Sequence, residues 1–273
     1  MSDARNLFLR TVSACVFVPV VLALVLLGSW ALLALVLLVV GRCSWEFFHL
    51  AKDAGYRPAG NLGMLLAMGL CLQTYFAGLE GLVPSLILAA LICPAAALRS
   101  GTERYAANAL LTLGGVIYLG LLGSAPLLIY RAIGPACSAE VTRVLVAIFL
   151  AIWLADSAAY FCGRRWGKKK LTPTISPGKT VVGFIGGIGG SLLPLLLHGF
   201  VPCLAPLELL GLLVLAGLGG QLGDLVESAI KRDFGVKDTP PLIPGHGGAL
   251  DRFDSYFFAF PLVYLYLMAI GFF

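Results

Sequence analysis

The stretch LELLGLLVLAGLGGQLGDLV, residues 207–226, is almost entirely apolar and carries only two charged side chains, Glu208 and Asp224. An apolar run of about 20 residues is long enough to cross the hydrocarbon core of a bilayer as one helix. The whole chain has this character, since 59% of its 273 residues are hydrophobic and 12% are charged, against about 25% charged in soluble domains. The sequence therefore predicts an all-α polytopic integral membrane protein.

Similar apolar runs recur along the chain and predict about nine transmembrane helices. The predicted spans are 11–28, 29–41, 61–79, 81–98, 106–130, 141–162, 181–201, 207–226 and 255–273. The first two are short for the roughly 17–25 residues that a crossing needs. Residues 11–41 therefore admit two interpretations, one long tilted helix or a hairpin that turns at Gly28 and Ser29.

The basic residues predict an orientation in the membrane. If the N-terminus is cytoplasmic and residues 11–41 form a hairpin, every Lys and Arg except Arg131 and Arg143 falls in a cytoplasmic segment. This asymmetry is what the positive-inside rule expects. We therefore predict an integral membrane protein whose basic face, which carries the clustered polar residues, is cytoplasmic.

The chain divides by chemistry near residue 150. Residues 1–150 read as spans with short connections, for which lipid access and dimerisation are both open as roles. Most of the clustered polar and charged residues lie in 151–273, which includes two basic loops, 163–180 and 227–254. We therefore predict that the catalytic region is 151–273.

Asp156 stands inside the apolar run VAIFLAIWLADSAAYF, residues 146–161. An Asp at the centre of a membrane helix costs about 2.5–3.5 kcal/mol on insertion scales, so such residues usually face a bundle interior or a wet cavity. A structural hydrogen bond to Tyr160, one turn away, is the alternative explanation.

A second polar cluster follows residue 223. Asp224, Glu227, Ser228 and Lys231 are spaced i, i+3, i+4 and i+7, so they share one face of a helix. A solvated helix end is the alternative. Asp224, however, interrupts an apolar sequence that resumes with Leu225, which favours a functional cluster.

The segment PGHGGALDRFDS, residues 244–255, places Asp251 and Asp254 at the start of the last apolar run. Helix capping explains a carboxylate at that position. It does not explain the rest of the cluster, which comprises His246, Gly247, Gly248 and Arg252. Adjacent glycines let backbone N–H groups approach a ligand closely, often an anion.

Carboxylate oxygens, clustered Lys and Arg side chains and the accessible backbone of adjacent glycines lie at one membrane interface. This combination suits a hard divalent cation together with phosphates. The segment SPGKT, residues 176–180, ends like a Walker A motif, but Pro173 stands where that motif requires its first glycine. It is therefore not a P-loop. Its Ser176, Lys179 and Thr180 remain weaker candidates for contacts with phosphate oxygens.

Residues 228–254, SAIKRDFGVKDTPPLIPGHGGALDRFD, closely resemble the signature of the phosphatidate cytidylyltransferases, also called CDP-diglyceride synthases. The matching residues are Ser228, Ile230, Lys231, Arg232, Lys237, Asp238, His246, Gly247, Gly248, Asp251, Arg252 and Asp254. The resemblance extends more loosely upstream to ADSAAYFCGRRWGKKKL and SPGKT. Pro240, Ala249 and Val182 depart from the family pattern, and Val182 replaces a Glu that many members carry.

The resemblance implies a metal-dependent transfer of CMP from CTP to phosphatidate, which yields CDP-diacylglycerol and pyrophosphate in phospholipid biosynthesis. It implies catalytic roles for Asp224, Asp251, Lys231 and Arg252. It implies that Mg²⁺ is held by Asp224, Asp251 and Asp254, with a second cation left open. The implied substrate-binding residues are Ser176, Lys179, Thr180, Ser228, Arg232, Lys237, His246, Gly247 and Gly248.

The implied partners are CTP and phosphatidate within the bilayer, with no nucleic acid and with a homodimer left open. Three other functions compete with this one. A CDP-alcohol phosphotransferase would carry an Asp-Gly-x-x-Ala-Arg run, which this sequence lacks. An ion-coupled transporter would use Asp156 and Asp224 as ion ligands near the midplane. A lipid kinase would use a different nucleotide.

Overall fold

The computed structural model describes residues 18–134, 137–239 and 248–273. The chain separates into two compact units, one drawn from Met1–Leu127 and Phe234–Phe253 and the other from Leu128–Asp233 and Asp254–Phe273. Each unit therefore takes part of the polar segment 227–254. This partition by packing is not the division by chemistry near residue 150, which stays a prediction.

The first unit has helices and connecting turns but no strand among its described residues. Its helices are α1 (Val18–Leu27), α2 (Ser29–Asp53), α3 (Gly60–Ala77), α4 (Leu82–Ala97), α5 (Tyr105–Gly115) and the single turn that we number α10 (Leu250–Phe253). A π-helical segment, Val116–Leu121, and a 3₁₀ turn, Leu122–Ser124, connect α5 to α6 (Ala125–Ile133).

The second unit combines long helices with one small β-hairpin. Its elements are α7 (Ser138–Trp166), β1 (Lys170–Thr172), β2 (Ser176–Thr180), α8 (Val181–Ser191), a 3₁₀ segment (Leu193–Phe200), α9 (Pro206–Asp233) and α11 (Tyr256–Ala269). The antiparallel strands pair Lys170 with Thr180 and Thr172 with Ser176. The sequence did not predict this hairpin, because three- and five-residue strands without an apolar alternation leave no periodic signal.

Six helical segments in the described residues are long and apolar enough to cross a membrane. They are Ser29–Asp53, Leu82–Ser100, Tyr105–Ile133, Ala139–Trp166, Val181–Phe200 and Pro206–Asp233. Large apolar side chains such as Leu38, Leu196 and Leu207 lie on their exposed surfaces, which suits contact with lipid rather than water. The predicted helical membrane fold is confirmed, and the protein is an integral membrane protein.

The predicted count of nine spans is not reproduced by these six. Two predicted spans, 61–79 and 255–273, correspond to α3 and α11. The 14 residues of α11 extend about 21 Å at 1.5 Å per residue, which is short of the ~30 Å hydrocarbon core. The predicted span 11–28 lies partly outside the described residues, so the exact count stays a prediction.

The backbone forms two helices, α1 and α2, rather than one near the N-terminus. Gly28 has φ +63° and Ser29 has φ +38°, a left-handed conformation that interrupts an α-helix. The chain thus breaks between α1 and α2 at the predicted turn position. A single uninterrupted helix over residues 11–41 is wrong.

Close packing of α7 on α8 depends on glycine. A Cβ added at Gly190 would meet the side chain of Ala158 and lie 2.7 Å from the carbonyl oxygen of Leu154. The neighbouring Gly189 has nothing within 4 Å of the same position. Small residues at such contacts let two membrane helices approach closely, and this approach aligns α8 and its preceding hairpin with the rest of the unit.

We expect Gly190→Ala to destabilise the protein and Gly189→Ala to leave it unchanged or slightly more stable. Overpacking at Gly190 costs about 1–3 kcal/mol, whereas Ala at an open helical site gains about 0.5–1 kcal/mol over Gly. Thermal unfolding of the two variants in detergent measures the difference. Equal shifts in Tm would contradict the packing described here.

Candidate active site

Helix α9 carries the polar face that the spacing of its residues predicts. The helix continues to Asp233, seven residues beyond the predicted end of the span, so Asp224, Ser228 and Lys231 belong to one continuous helix. The Ser228 hydroxyl donates a hydrogen bond to the Asp224 carboxylate, with 3.4 Å between Oγ and Oδ1. The predicted cluster is therefore an organised surface rather than a frayed helix end.

Glu227 and Lys231 form an ion pair inside this helix. The distance from Lys231 Nζ to Glu227 Oε2 is 2.7 Å, and the side chains are 11% and 1% exposed. A buried carboxylate is tolerated when a cation compensates its charge. Lys231, predicted as a catalytic residue, thus has a carboxylate partner one turn away, and its role toward phosphate stays a prediction.

The β-hairpin docks on α9 through charged groups. Lys179 on β2 lies 2.8 Å from Asp224, measured from Nζ to Oδ2. The Arg232 side chain donates from Nε to the carbonyl of Ile175 over 3.2 Å. The structure thus brings together predicted site residues that are 45 positions apart in the sequence, Lys179 and Asp224.

The other two candidates on the hairpin take different positions. Ser176 begins β2 and is partly buried. Thr180 is buried, and its hydroxyl accepts a hydrogen bond from the N–H of Gly183 over 3.1 Å. Thr180 is therefore the N-cap of α8, a structural role that the sequence prediction did not include.

Asp254 lies against α9 at the start of the last helix. A Cβ at Gly223 would collide with the carbonyl oxygen of Asp254, so a glycine beside Asp224 is required for this approach. Burial raises the pKa of the Asp254 carboxyl well above its usual range, and the negative charges of Asp224, Glu227 and Asp156 raise it further. Four acidic groups therefore lie near one another within the second unit.

Asp156 joins this acidic group from α7. Its side chain is exposed rather than sealed in the helix packing. The hydroxyl of Tyr160, its alternative structural partner, instead accepts a hydrogen bond from Arg164, with 3.0 Å between Nη1 and the phenol oxygen. Asp156 thus has Asp224 and Asp254 as acidic neighbours.

The donor chemistry fits a hard divalent cation. In the part of the chain that the structure describes, no three Asp, Glu, His or Cys side chains converge closely enough to form a metal site by themselves. Mg²⁺ is usually held by one or two carboxylates together with substrate phosphates and water. Asp224 and Asp254, both in the acidic group of the second unit, stay predicted ligands of such a cation.

Asp251 organises the polar segment of the first unit. Its Oδ2 accepts hydrogen bonds from the N–H of Gly248 over 3.1 Å and from the N–H of Thr239 over 3.2 Å. The Thr239 hydroxyl donates to the same oxygen over 2.7 Å. One carboxylate oxygen of Asp251 thus ties Gly248, just before α10, to Thr239.

The remaining predicted residues lie in the segment 237–252. Lys237 and Arg252 are exposed, as suits contact with a soluble or interfacial phosphate. His246 and Gly247 lie outside the described residues. Asp224 and Asp251 belong to different compact units, so a cation shared by them stays a prediction.

Sequence reasoning missed Glu46, Thr239 and the pairing of Glu227. Glu46 follows the predicted span 29–41, so the sequence places it in a short connection. In the structure α2 continues to Asp53, and Glu46 is completely buried. An acidic residue flanked by Trp45 and Phe47 is the signal that could have identified it.

We expect Thr180→Val to destabilise the protein because it removes the N-cap of α8. Loss of such a cap costs about 0.5–2 kcal/mol, while Thr180→Ser retains the hydroxyl and should cost much less. Thermal unfolding in detergent measures both variants. If Val and Ser had the same effect, the cap would not stabilise α8.

The profile of the cytidylyltransferase family matches residues 8–270 of this chain. Among curated proteins, phosphatidate cytidylyltransferases of Staphylococcus epidermidis and Staphylococcus aureus are each 50% identical over 131 residues, which is 47% of this chain and 50% of theirs. That of Staphylococcus saprophyticus is 50% identical over 133 residues, 48% of this chain and 51% of its own. The chain thus spans about half the length of the curated relatives that it matches.

Proposed function

This chain belongs to the cytidylyltransferase family, and we propose that it transfers the cytidylyl group of CTP to phosphatidate in the membrane. The observation that carries the proposal is the match over residues 8–270, joined to the acidic and basic side chains that α9 and the hairpin bring together. The names of the relatives support CTP and phosphatidate as the two substrates.

The reaction asks little of the protein as an acid or a base. A phosphate-monoester oxygen of phosphatidate attacks the α-phosphorus of CTP, a new P–O bond forms, and the bond to the leaving pyrophosphate breaks. The second pKa of a phosphate monoester is about 6, so the nucleophile is already ionised near neutral pH. No strong general base is required.

The main obstacle is repulsion between two polyanions. Catalysis should therefore rest on neutralising charge and holding the reacting groups in line. In the second unit, Lys179, Lys231 and Arg232 are the proposed phosphate ligands. Lys179 Nζ is buried and lies 2.8 Å from Asp224 Oδ2, so that carboxylate holds the ammonium group beside the acidic residues where the phosphates would bind.

In the first unit, the proposed substrate contacts are Lys237, Arg252 and the backbone of Gly248. The N–H of Gly248 donates to Asp251, so this N–H would contact a phosphate only after that hydrogen bond breaks. Arg252 and Lys237 are exposed, which supports their role in attracting a nucleotide from solution.

Mg²⁺ is the proposed cofactor, with Asp224, Asp251 and Asp254 as the carboxylates that would hold it. Bound there, it would neutralise phosphate oxygens and stabilise the charge on the departing pyrophosphate. The protein's own contribution is a preformed acidic group whose mutual repulsion a cation relieves.

The proposed location is the cytoplasmic face of a bacterial inner membrane. The clustering of Lys and Arg in the segments 163–180 and 227–254 supports that orientation through the positive-inside rule. CTP would approach from the cytoplasm, and phosphatidate would enter sideways from the bilayer between helices.

We expect Asp224→Asn to lower turnover at least about 100-fold, because it removes charge from the acidic group and releases Lys179. Asp233→Asn, an exposed position at the end of the same helix, is the matched control and should retain wild-type turnover. CMP transfer to phosphatidate in detergent micelles measures both. Near-normal turnover of Asp224→Asn in saturating Mg²⁺ would exclude Asp224 as a ligand.

We expect pyrophosphate release when the purified protein receives CTP and phosphatidate, and none with ATP and diacylglycerol. The first pair is the proposed reaction, whereas the second is that of a lipid kinase. Addition of a chelator should stop release, and excess Mg²⁺ should restore it. Release that persists in chelator would remove the metal from the proposal.

A further inference from the structure

Glu46 is a fully buried carboxylate that the proposed mechanism does not use. It lies on α2, and its side chain contacts the backbone that starts α10. Oε1 accepts the N–H of Ala249 over 2.9 Å, and Oε2 accepts the N–H of Leu250 over 2.8 Å. Both oxygens of one side chain thus hold two consecutive residues that are more than 200 positions away in the sequence.

The charge of Glu46 is compensated from its own helix. Arg42, one turn earlier, lies 2.9 Å from Glu46, measured from Nε to Oε1, and its side chain is 31% exposed. The guanidinium also lies over the ring of Trp45, 4.3 Å from its centroid. A charge-assisted pair with two further N–H donors satisfies the conditions under which a buried carboxylate is stable.

Gly248 makes this contact possible. A Cβ at Gly248 would collide with the Glu46 carboxylate on one side and with the Thr239 hydroxyl on the other. The same glycine donates its N–H to Asp251. The backbone of residues 248–250 is therefore fixed between Glu46 and the hydrogen bonds of Asp251.

We infer that Glu46 is a positioning residue for the reaction, which acts by holding the segment Gly248–Asp251 in one conformation. The inference rests on the proposed function, because Asp251 matters for turnover only if that segment serves the site. It assigns a role in catalysis to the N-terminal part of the chain. Glu46 contacts backbone rather than substrate, so its effect should fall on kcat and leave the KM for CTP within about twofold.

The test compares Glu46→Gln with Glu46→Asp in the full-length protein. Gln keeps the shape but places an NH₂ group against one backbone N–H, and Asp keeps the charge but is one methylene too short to reach both. A displacement of about 1 Å costs up to about 100-fold in rate. We expect kcat to fall by about 10- to 100-fold in Glu46→Gln and by a smaller factor in Glu46→Asp.

Hydrogen exchange of the peptide that covers residues 248–253 provides a readout independent of turnover. Exchange at Ala249 and Leu250 should be at least about tenfold faster in Glu46→Gln, because their acceptor is lost or weakened. Glu80→Gln removes the same charge at an exposed position of the same unit. This control should match wild type in both kcat and exchange.

Each outcome of these measurements supports or overturns the positioning role of Glu46. A folded Glu46→Gln with wild-type kcat and exchange would overturn it, as would equal loss of kcat and rise of KM. If Glu46→Gln does not fold, Glu46→Asp decides, and wild-type kcat in that variant would overturn the inference. A wild-type protein that fails to transfer CMP would instead refute the proposed function, while the exchange measurement would still test the contact.

Discussion

Carboxylates withdrawn from water need cations or N–H donors beside them, and the polar parts of both units are arranged to supply these partners. In the second unit Glu227 has Lys231, and Asp224 has Lys179 and Ser228. In the first unit the partners of Glu46 are Arg42 and two backbone N–H groups. Removing the partners of Glu227 or Glu46, whose side chains are 1% and 0% exposed, would leave an uncompensated charge buried in the protein.

The spacing of polar residues in the sequence was enough to predict the polar face of α9. The positions of Asp224, Ser228 and Lys231 on one helix follow from periodicity alone, and the structure has them there. The apolar run 207–226 marks only the part of this helix that is predicted to lie in the membrane, whereas the helix itself continues to Asp233. The actual end precedes Gly235, whose φ of +75° is unfavourable for continuing a right-handed helix.

Contacts between distant residues could not be predicted in the same way. The ion pair of Lys179 with Asp224 and the hydrogen bond from Ala249 to Glu46 depend on how the helices pack. The periodicity of a single sequence gives no information about that packing. The hairpin shows the same limit, since its strands are held by their neighbours rather than by their own propensities. The sequence marks Thr180 as a candidate contact for phosphate. Only the fold shows that Thr180 caps α8.

The contact between α2 and α10 also constrains the order in which the protein matures. Ribosomes deliver α2 to the membrane long before residues 249 and 250 have been synthesised, so Glu46 must wait for the N–H donors that complete its environment. Arg42, one turn away on the same helix, is available from the start and can neutralise the carboxylate during insertion. The early pair thus lowers the cost of placing a carboxylate in a membrane helix, and the two N–H donors complete its environment only after more than 200 further residues have been added.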